Sequence, residues 1–303
     1  MSDQESEQSI PNAESPIVHG EASGLSANVP VAVGRVSVGE ALQRVVNENE
    51  TEASHRFDTE FSQPVADLIR HTDTVPMLGE GASSRVYPLD VGGAKYAVRV
   101  LKGDPEAAAL GAQEHVGGLA AAQGVPGAEQ LVAVHIATQG SGQAEGDQTP
   151  TVVVSELAPG KTGEVMTSDD VLAVNPEHVP AMLETLTQLQ NRNVFIDGTR
   201  QNNYMYDPDK MLTIVDLALE DPKNLMPQTL EDKVMDLAVW MGNVGDLSTR
   251  QRESGAYAAL KEHRVQLIES LRNAYRVRYG NGSQAEYMEQ RFDDFLSIYK
   301  AQR

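Results

Sequence analysis

The stretch "NVFIDGTRQNNYMYDPDKMLTIVDLAL", Asn193 to Leu219, sets three oxygen-bearing side chains around short apolar runs. Asp197 follows Val194, Phe195 and Ile196. Asn202 stands five positions on, and Asp216 ends the run Leu212-Thr213-Ile214-Val215. An aspartate directly after a β-branched run falls where a strand leaves the core. Hard divalent cations take carboxylate and amide oxygens, and magnesium usually keeps few protein ligands beside phosphates. Asp216 and Asn202 carry suitable donors, which leaves Asp197 to orient a hydroxyl and accept its proton. The same residues also suit a plainer arrangement, with Asp197 and Asn202 shaping a polar turn and Asp216 capping the next segment. Taken singly, these residues leave both arrangements open.

Two upstream stretches carry similar ambiguity. In "GEGASSRV" (Gly79 to Val86) two glycines stand one apart between apolar segments. Backbone without Cβ can lie close over phosphates with its N–H groups facing them, although tight turns use the same residues. In "YAVRVLK" (Tyr96 to Lys102) strand alternation puts Ala97, Arg99 and Leu101 on one face. A cation on an apolar face calls for an anion: a phosphate, or a carboxylate of the next helix, Glu106 or Glu114. Otherwise Arg99 faces water. Lys102 reads as a solvated strand end.

The elements that must position these groups are legible as patterns. "SVGEALQRVVNENE" predicts a helix capped by Ser37, with Glu40 completing the cap, and "PVADLIRH" predicts a second one with Pro64 in its first turn. From Thr74 to Lys102 three short strands alternate with glycine breaks. The alanine-rich run Pro105 to Gly124 predicts a helix ended by Gly124. "EQLVAVHIAT" and "TPTVVVSELA" predict two more strands, separated by the loop "QGSGQAEGDQ". Beyond Pro159 the pattern turns helical, interrupted by two strands in the stretch quoted first. The expected organisation is a leader (1–36), a helical extension (37–72), a strand-rich part (73–158) and a helical part (159–303).

In this order the pieces resemble the protein kinase-like superfamily. The resemblance rests on the glycine hairpin (Gly79, Gly81, Val86), the strand with Arg99, the helix with Glu114 and the acidic hinge Glu156-Leu157-Ala158. It continues through D-x-x-x-x-N (Asp197 to Asn202) and V-D-L (Asp216), and spans Thr74 to Trp240. Each motif is unspecific alone, and the series is what carries the likeness. It implies an α+β, two-lobed protein kinase-like fold, with a five-stranded antiparallel N-lobe holding one helix and a reduced helical C-lobe. It implies ATP and Mg²⁺ as cofactors. Gly79 and Gly81 would cover the phosphates, with Val86, Ala97, Arg99 and Glu114 among the nucleotide-binding residues. Glu156 and Ala158 would offer backbone groups to the adenine, next to Ser155 as gatekeeper. Asn202 and Asp216 would hold Mg²⁺, and Asp197 would orient the acceptor hydroxyl.

The sequence departs from the pattern in several places. Arg99 stands where the family has lysine, a change that matters at a phosphate contact. Phe195 replaces a histidine, Ala218 a glycine, and Ser84 lies where a third loop glycine is expected. No A-P-E signature follows Asp216. The compact second part is similar to that of bacterial effector kinases. The expected activity is phosphoryl transfer to protein Ser/Thr hydroxyls. The alternatives are a pseudokinase scaffold, with Arg99 failing to place the phosphates, and a small-molecule phosphotransferase.

Composition narrows the function classes. The chain of 303 residues carries a formal charge of −20 and no cysteine. Thiolate chemistry and disulfides are excluded, and general nucleic-acid binding is not expected of so acidic a chain. Residues 1 to 34 hold no Lys or Arg and are rich in Ser, Glu, Gln, Asn and Pro, a composition expected to be disordered. There is no apolar run of transmembrane length and no standard signal peptide. A protein substrate, an activating protein partner and a cytoplasmic location, or delivery into a host cell as an effector, complete the expectations.

Overall fold

The computed structural model describes residues 38–137, 150–198, 200–209, 211–219, 227–244, 255–280 and 282–301. The polar leader, the Ser37 cap and the loop 139–148 lie outside them. The sequence predicts two separate N-terminal helices. Instead α1 (Val38–Arg56) runs through one widened turn, Phe57–Phe61, directly into α2 (Ser62–Arg70). Pro64 explains the junction. It cannot donate to the carbonyl four residues back, and its ring crowds that carbonyl. The preceding turn opens to π pitch, with the Ser62 N–H reaching Phe57 O.

Strands β1 (Gly79–Glu80), β2 (Ser84–Val91), β3 (Ala94–Leu101), β4 (Leu131–His135) and β5 (Val152–Glu156) form the expected five-stranded antiparallel sheet. Its order is β1-β2-β3-β5-β4. Alternation along β3 sorts the two faces. Val98 joins a core with Phe57, Phe61, Val65 and Leu68, so the N-terminal helices cover one face. Phe61 meets the Tyr96 ring edge-on at 5.0 Å, and Phe57 stacks on His135 at 5.0 Å. Leu101 and Val153 join the larger core, which contains α3 (Pro105–Ala122). Because both faces are covered, β5 reads as the unbroken apolar run Val152-Val153-Val154.

Helix α3 starts at Asp104, whose carboxylate accepts the Ala107 N–H at 2.9 Å, with Pro105 in the first turn. Its inward stripe is Ala108, Ala112, His115, Val116 and Leu119, which follows helical spacing.

The remaining chain holds α4 (Ser168–Leu172), α5 (Val179–Asn191), α6 (Leu230–Asn243), α7 (Gly255–Tyr279) and α8 (Ser283–Ala301). The sequence predicts two strands between Asn193 and Leu219, and four form there. These are β7 (Val194–Ile196), β8 (Tyr204–Asp207), β9 (Met211–Ile214) and β10 (Leu217–Leu219). Strands β7 and β10 pair with each other, while β8 pairs with β9 and with β6 (Lys161–Thr162). Such short strands are fixed by their partners rather than by their own periodicity. Thr229 caps α6 in a capping box with Asp232. Trp240 of α6 and Tyr204 lie fully buried, with ring centroids 5.6 Å apart.

Helix α3 lies close against β10. A Cβ at Gly118 would stand 2.5 Å from the Ala218 Cα, and one at Gly117 would meet Leu219. Backbone, not a flexible side chain, blocks the first position. Gly118→Ala is therefore expected to destabilise the fold by about 1–3 kcal/mol, as overpacking does, read as a lowered denaturant midpoint. An unchanged midpoint would show that α3 can withdraw freely from the Asp216 segment.

Candidate active site

A cavity of about 270 Å³ opens between the five-stranded sheet and the segment carrying Asn202 and Asp216. Gly79, Gly81, Val86, Ala97, Arg99, Glu156, Ala158, Asn202 and Asp216 all line it. Residues scattered from position 79 to 216 thus meet at one place. Alternation on β3 is why Ala97 and Arg99 face it together, with Ser155 opposite Ala97 in register.

The glycine turn is braced by a residue the sequence reads as a solvated end. Lys102 donates from Nζ to Glu80 Oε1 at 2.7 Å and to Gly81 O at 2.8 Å. Arg85 adds a bond to Glu80 Oε1 at 2.9 Å. A Cβ at Gly79 or Gly81 would meet no protein atom within 4 Å, so packing within the chain does not require either glycine.

Arg99 has a different partner from those expected. Its guanidinium reaches Asp216 Oδ1 at 3.1 Å and Ser84 Oγ at 3.2 Å. Glu106 and Glu114 are exposed on α3, and Glu114 does not line the cavity. The reason is the helix period: the inward stripe passes through His115, and Glu114, one residue earlier, turns outward.

His115 takes that inward position. Its Nδ1 lies 3.0 Å from Leu217 O and 4.0 Å from Asp216 Oδ1. A carbonyl only accepts, so Nδ1 carries the hydrogen. Nε2 is buried without a hydrogen-bond partner among the described residues. Burial, and then the nearby Arg99 charge, push the imidazole pKa down. The unfolded chain binds a proton near pH 6.5 that the fold refuses, so stability falls as pH drops below that value. The melting temperature should therefore fall between about pH 7.5 and 5.5, and by less in His115→Gln. An equal fall in both proteins would contradict the assignment.

Asp216 adopts φ 61, in the left-handed region. For a residue with a Cβ this costs about 1–2 kcal/mol, so the surroundings must hold it. Its N–H donates to Glu129 Oε2 at 2.9 Å, while Arg99 holds the carboxylate.

Asp197 lies beside the cavity and does not line it. Its Oδ2 pairs with Arg200 Nε at 2.9 Å, and its carbonyl accepts the Asn203 side-chain N–H at 3.0 Å. Asn203 O in turn accepts the Val215 N–H at 2.9 Å, joining the Asp197 turn to the strand before Asp216. Gln228 brackets Ile196 by accepting its N–H and donating to its carbonyl. A Cβ at Gly198 would fall 2.3 Å from Asp236 Cβ, so only glycine lets this turn rest against α6. Burial, then the charges of Asp232 and Asp197, raise the Asp236 carboxyl pKa.

At the hinge, the Glu156 N–H is donated to Gln130 O at 3.1 Å. That N–H is therefore already taken within the fold. Sequence reasoning missed Glu129, His115, Arg200, Asn203 and Asp236. Arg200 and Asn203 flank the flagged Asn202 and were within reach. Glu129 lies in the Pro-Gly turn two residues before β4, with nothing local to mark it.

The glycine turn and Arg99 face the same cavity. Among the described residues no three carboxylate or imidazole groups gather to bind a metal alone. The two oxygen donors, Asp216 and Asn202, suit magnesium when phosphates supply further ligands. No family model matches the chain, and no curated protein matches it. Among the described residues no helix is long and apolar enough to cross a membrane.

Proposed function

We propose that this chain is an ATP- and Mg²⁺-dependent kinase-like phosphotransferase acting on protein Ser/Thr hydroxyls, built as a two-lobed kinase-like fold with a reduced helical C-lobe. The observation that carries the reading is the convergence of Gly79, Gly81, Arg99, Asn202 and Asp216 on one cavity. The glycine turn would cover the phosphates, and Val86 and Ala97 would pack against the base. The carbonyl of Glu156 and the backbone of Ala158 would meet its polar edge. Asp216 and Asn202 would hold Mg²⁺. A cation held by these two residues would supply charge stabilisation for the transfer. Asp197 would orient the acceptor hydroxyl and take its proton, with Arg200 steadying the carboxylate at 2.9 Å. The acidic surface and polar leader fit a bacterial effector with a protein substrate and, as a further expectation, an activating partner.

One observation favours a second reading. The Arg99–Asp216 ion pair occupies the carboxylate that would hold the metal. A chain that kept this pair with nucleotide present would be a pseudokinase scaffold. Incubation with labelled ATP, Mg²⁺ and candidate protein acceptors separates the two. Label transfer that Asp216→Asn abolishes supports the kinase. Nucleotide binding without transfer to any acceptor supports the scaffold.

A further inference from the structure

Glu129 is 7% exposed and lines the same cavity. A carboxylate taken out of water needs donors, and it has two. Oε1 accepts the Ser155 O–H at 2.6 Å, and Oε2 accepts the Asp216 N–H at 2.9 Å. The backbone reinforces the link. Glu129 N–H donates to Ile214 O at 2.9 Å, and Ile214 N–H donates to Gly127 O at 2.8 Å. The Gly127–Glu129 turn is thus zipped to the strand that delivers Asp216, and its acid closes on the Asp216 N–H, two residues beyond that strand.

We propose that Glu129 is a positioning residue for the metal-binding carboxylate of Asp216, a role that rests on the nucleotide reading above. Asp216 holds a left-handed φ of 61. Arg99 touches only its carboxylate, and that contact would change when phosphates arrive. The bond from Glu129 to the Asp216 N–H involves neither phosphate nor metal. It keeps the residue turned toward the cavity whichever partner Arg99 takes.

Glu129→Met keeps much of the side-chain volume and removes both acceptors. The measurement is the Mg²⁺ midpoint for binding a fluorescent ATP analogue, alongside affinity without metal and the melting temperature. Loss of a group that orients a metal ligand typically weakens metal binding about 10–100-fold, so the midpoint should rise by at least about ten-fold. Metal-free affinity should stay close to wild type. Glu129→Gln should restore most of the loss, because its amide oxygen can accept from Asp216 while its N–H₂ donates to Ser155 Oγ. A lowered melting temperature with an unchanged Mg²⁺ midpoint would overturn the proposal, leaving Glu129 a packing residue. If Glu129→Met does not fold, Glu129→Asp decides, since its carboxylate stops one methylene short of the Asp216 N–H: a raised Mg²⁺ midpoint supports the role and an unchanged one overturns it. A wild-type chain that binds no nucleotide with Mg²⁺ overturns the nucleotide reading and this role with it. A wild-type response with unaltered variants overturns this role alone.

Discussion

Asp197→Asn is expected to slow phosphoryl transfer by about 10²–10⁴-fold, the usual contribution of a positioned general base, with little change in Mg²⁺–nucleotide affinity. The separation follows from geometry. Asp197 lies outside the lining of the cavity, while Asn202 and Asp216 line it. The substitution is nearly isosteric and should keep the turn in place. That turn is held through the Asp197 carbonyl by Asn203, through Ile196 by Gln228, and through Gly198 by its fit against Asp236. What is lost is the charge, and with it the proton acceptor and the pair with Arg200. Steady-state kinetics and nucleotide titration on the same protein check both halves. A matched loss of affinity would mean that Asp197 takes part in nucleotide binding rather than in proton transfer.

Asp216→Asn should act earlier, on the metal. A cation at the transferred group contributes several kcal/mol, so on the order of 10³-fold in transfer should disappear when its only carboxylate ligand becomes neutral. Nucleotide binding should lose its Mg²⁺ dependence at the same time. The variant also releases Arg99, whose charge-assisted contact in the wild type is Asp216 Oδ1 at 3.1 Å. A freed guanidinium beside the glycine turn should hold phosphates at least as well as before. Metal-free nucleotide affinity is therefore expected to be unchanged or tighter in Asp216→Asn. Lost affinity with and without metal alike would contradict this division of labour between Arg99 and Asp216.

The sequence exposed those parts of the site that follow from local pattern. Alternation put Ala97 and Arg99 on one strand face, and glycine spacing marked Gly79 and Gly81. A polar residue at the end of an apolar run marked Asp197 and Asp216. The five strands and the helix after the third were legible for the same reason, since each is a local period bounded by glycine or proline. Pairings across the fold were not legible. Glu129 meets Ser155 across 26 positions and Asp216 across 87, and no spacing rule links such residues. Glu114 was misplaced because the phase of an alanine-rich helix is weakly specified when alanine occupies both its faces. Tertiary approach through Gly117 and Gly118 sets that phase and turns His115 inward. The continuous α1–α2 path was hidden by Pro64, which reads as a boundary but only widens a turn.

The central claim is that the cavity between Gly79 and Asp216 takes a magnesium nucleotide, and ligand-dependent melting tests it most directly. At nucleotide about 100-fold above its dissociation constant the fold gains about 2.7 kcal/mol. That corresponds to a rise of roughly 5 °C or more for a chain of this size. The wild type should show this rise with ATP and Mg²⁺, with a smaller rise when chelator replaces the metal, and Asp216→Asn should show no difference between the two conditions. A wild-type melting temperature that stays fixed at millimolar ATP, with any divalent cation, would contradict the account.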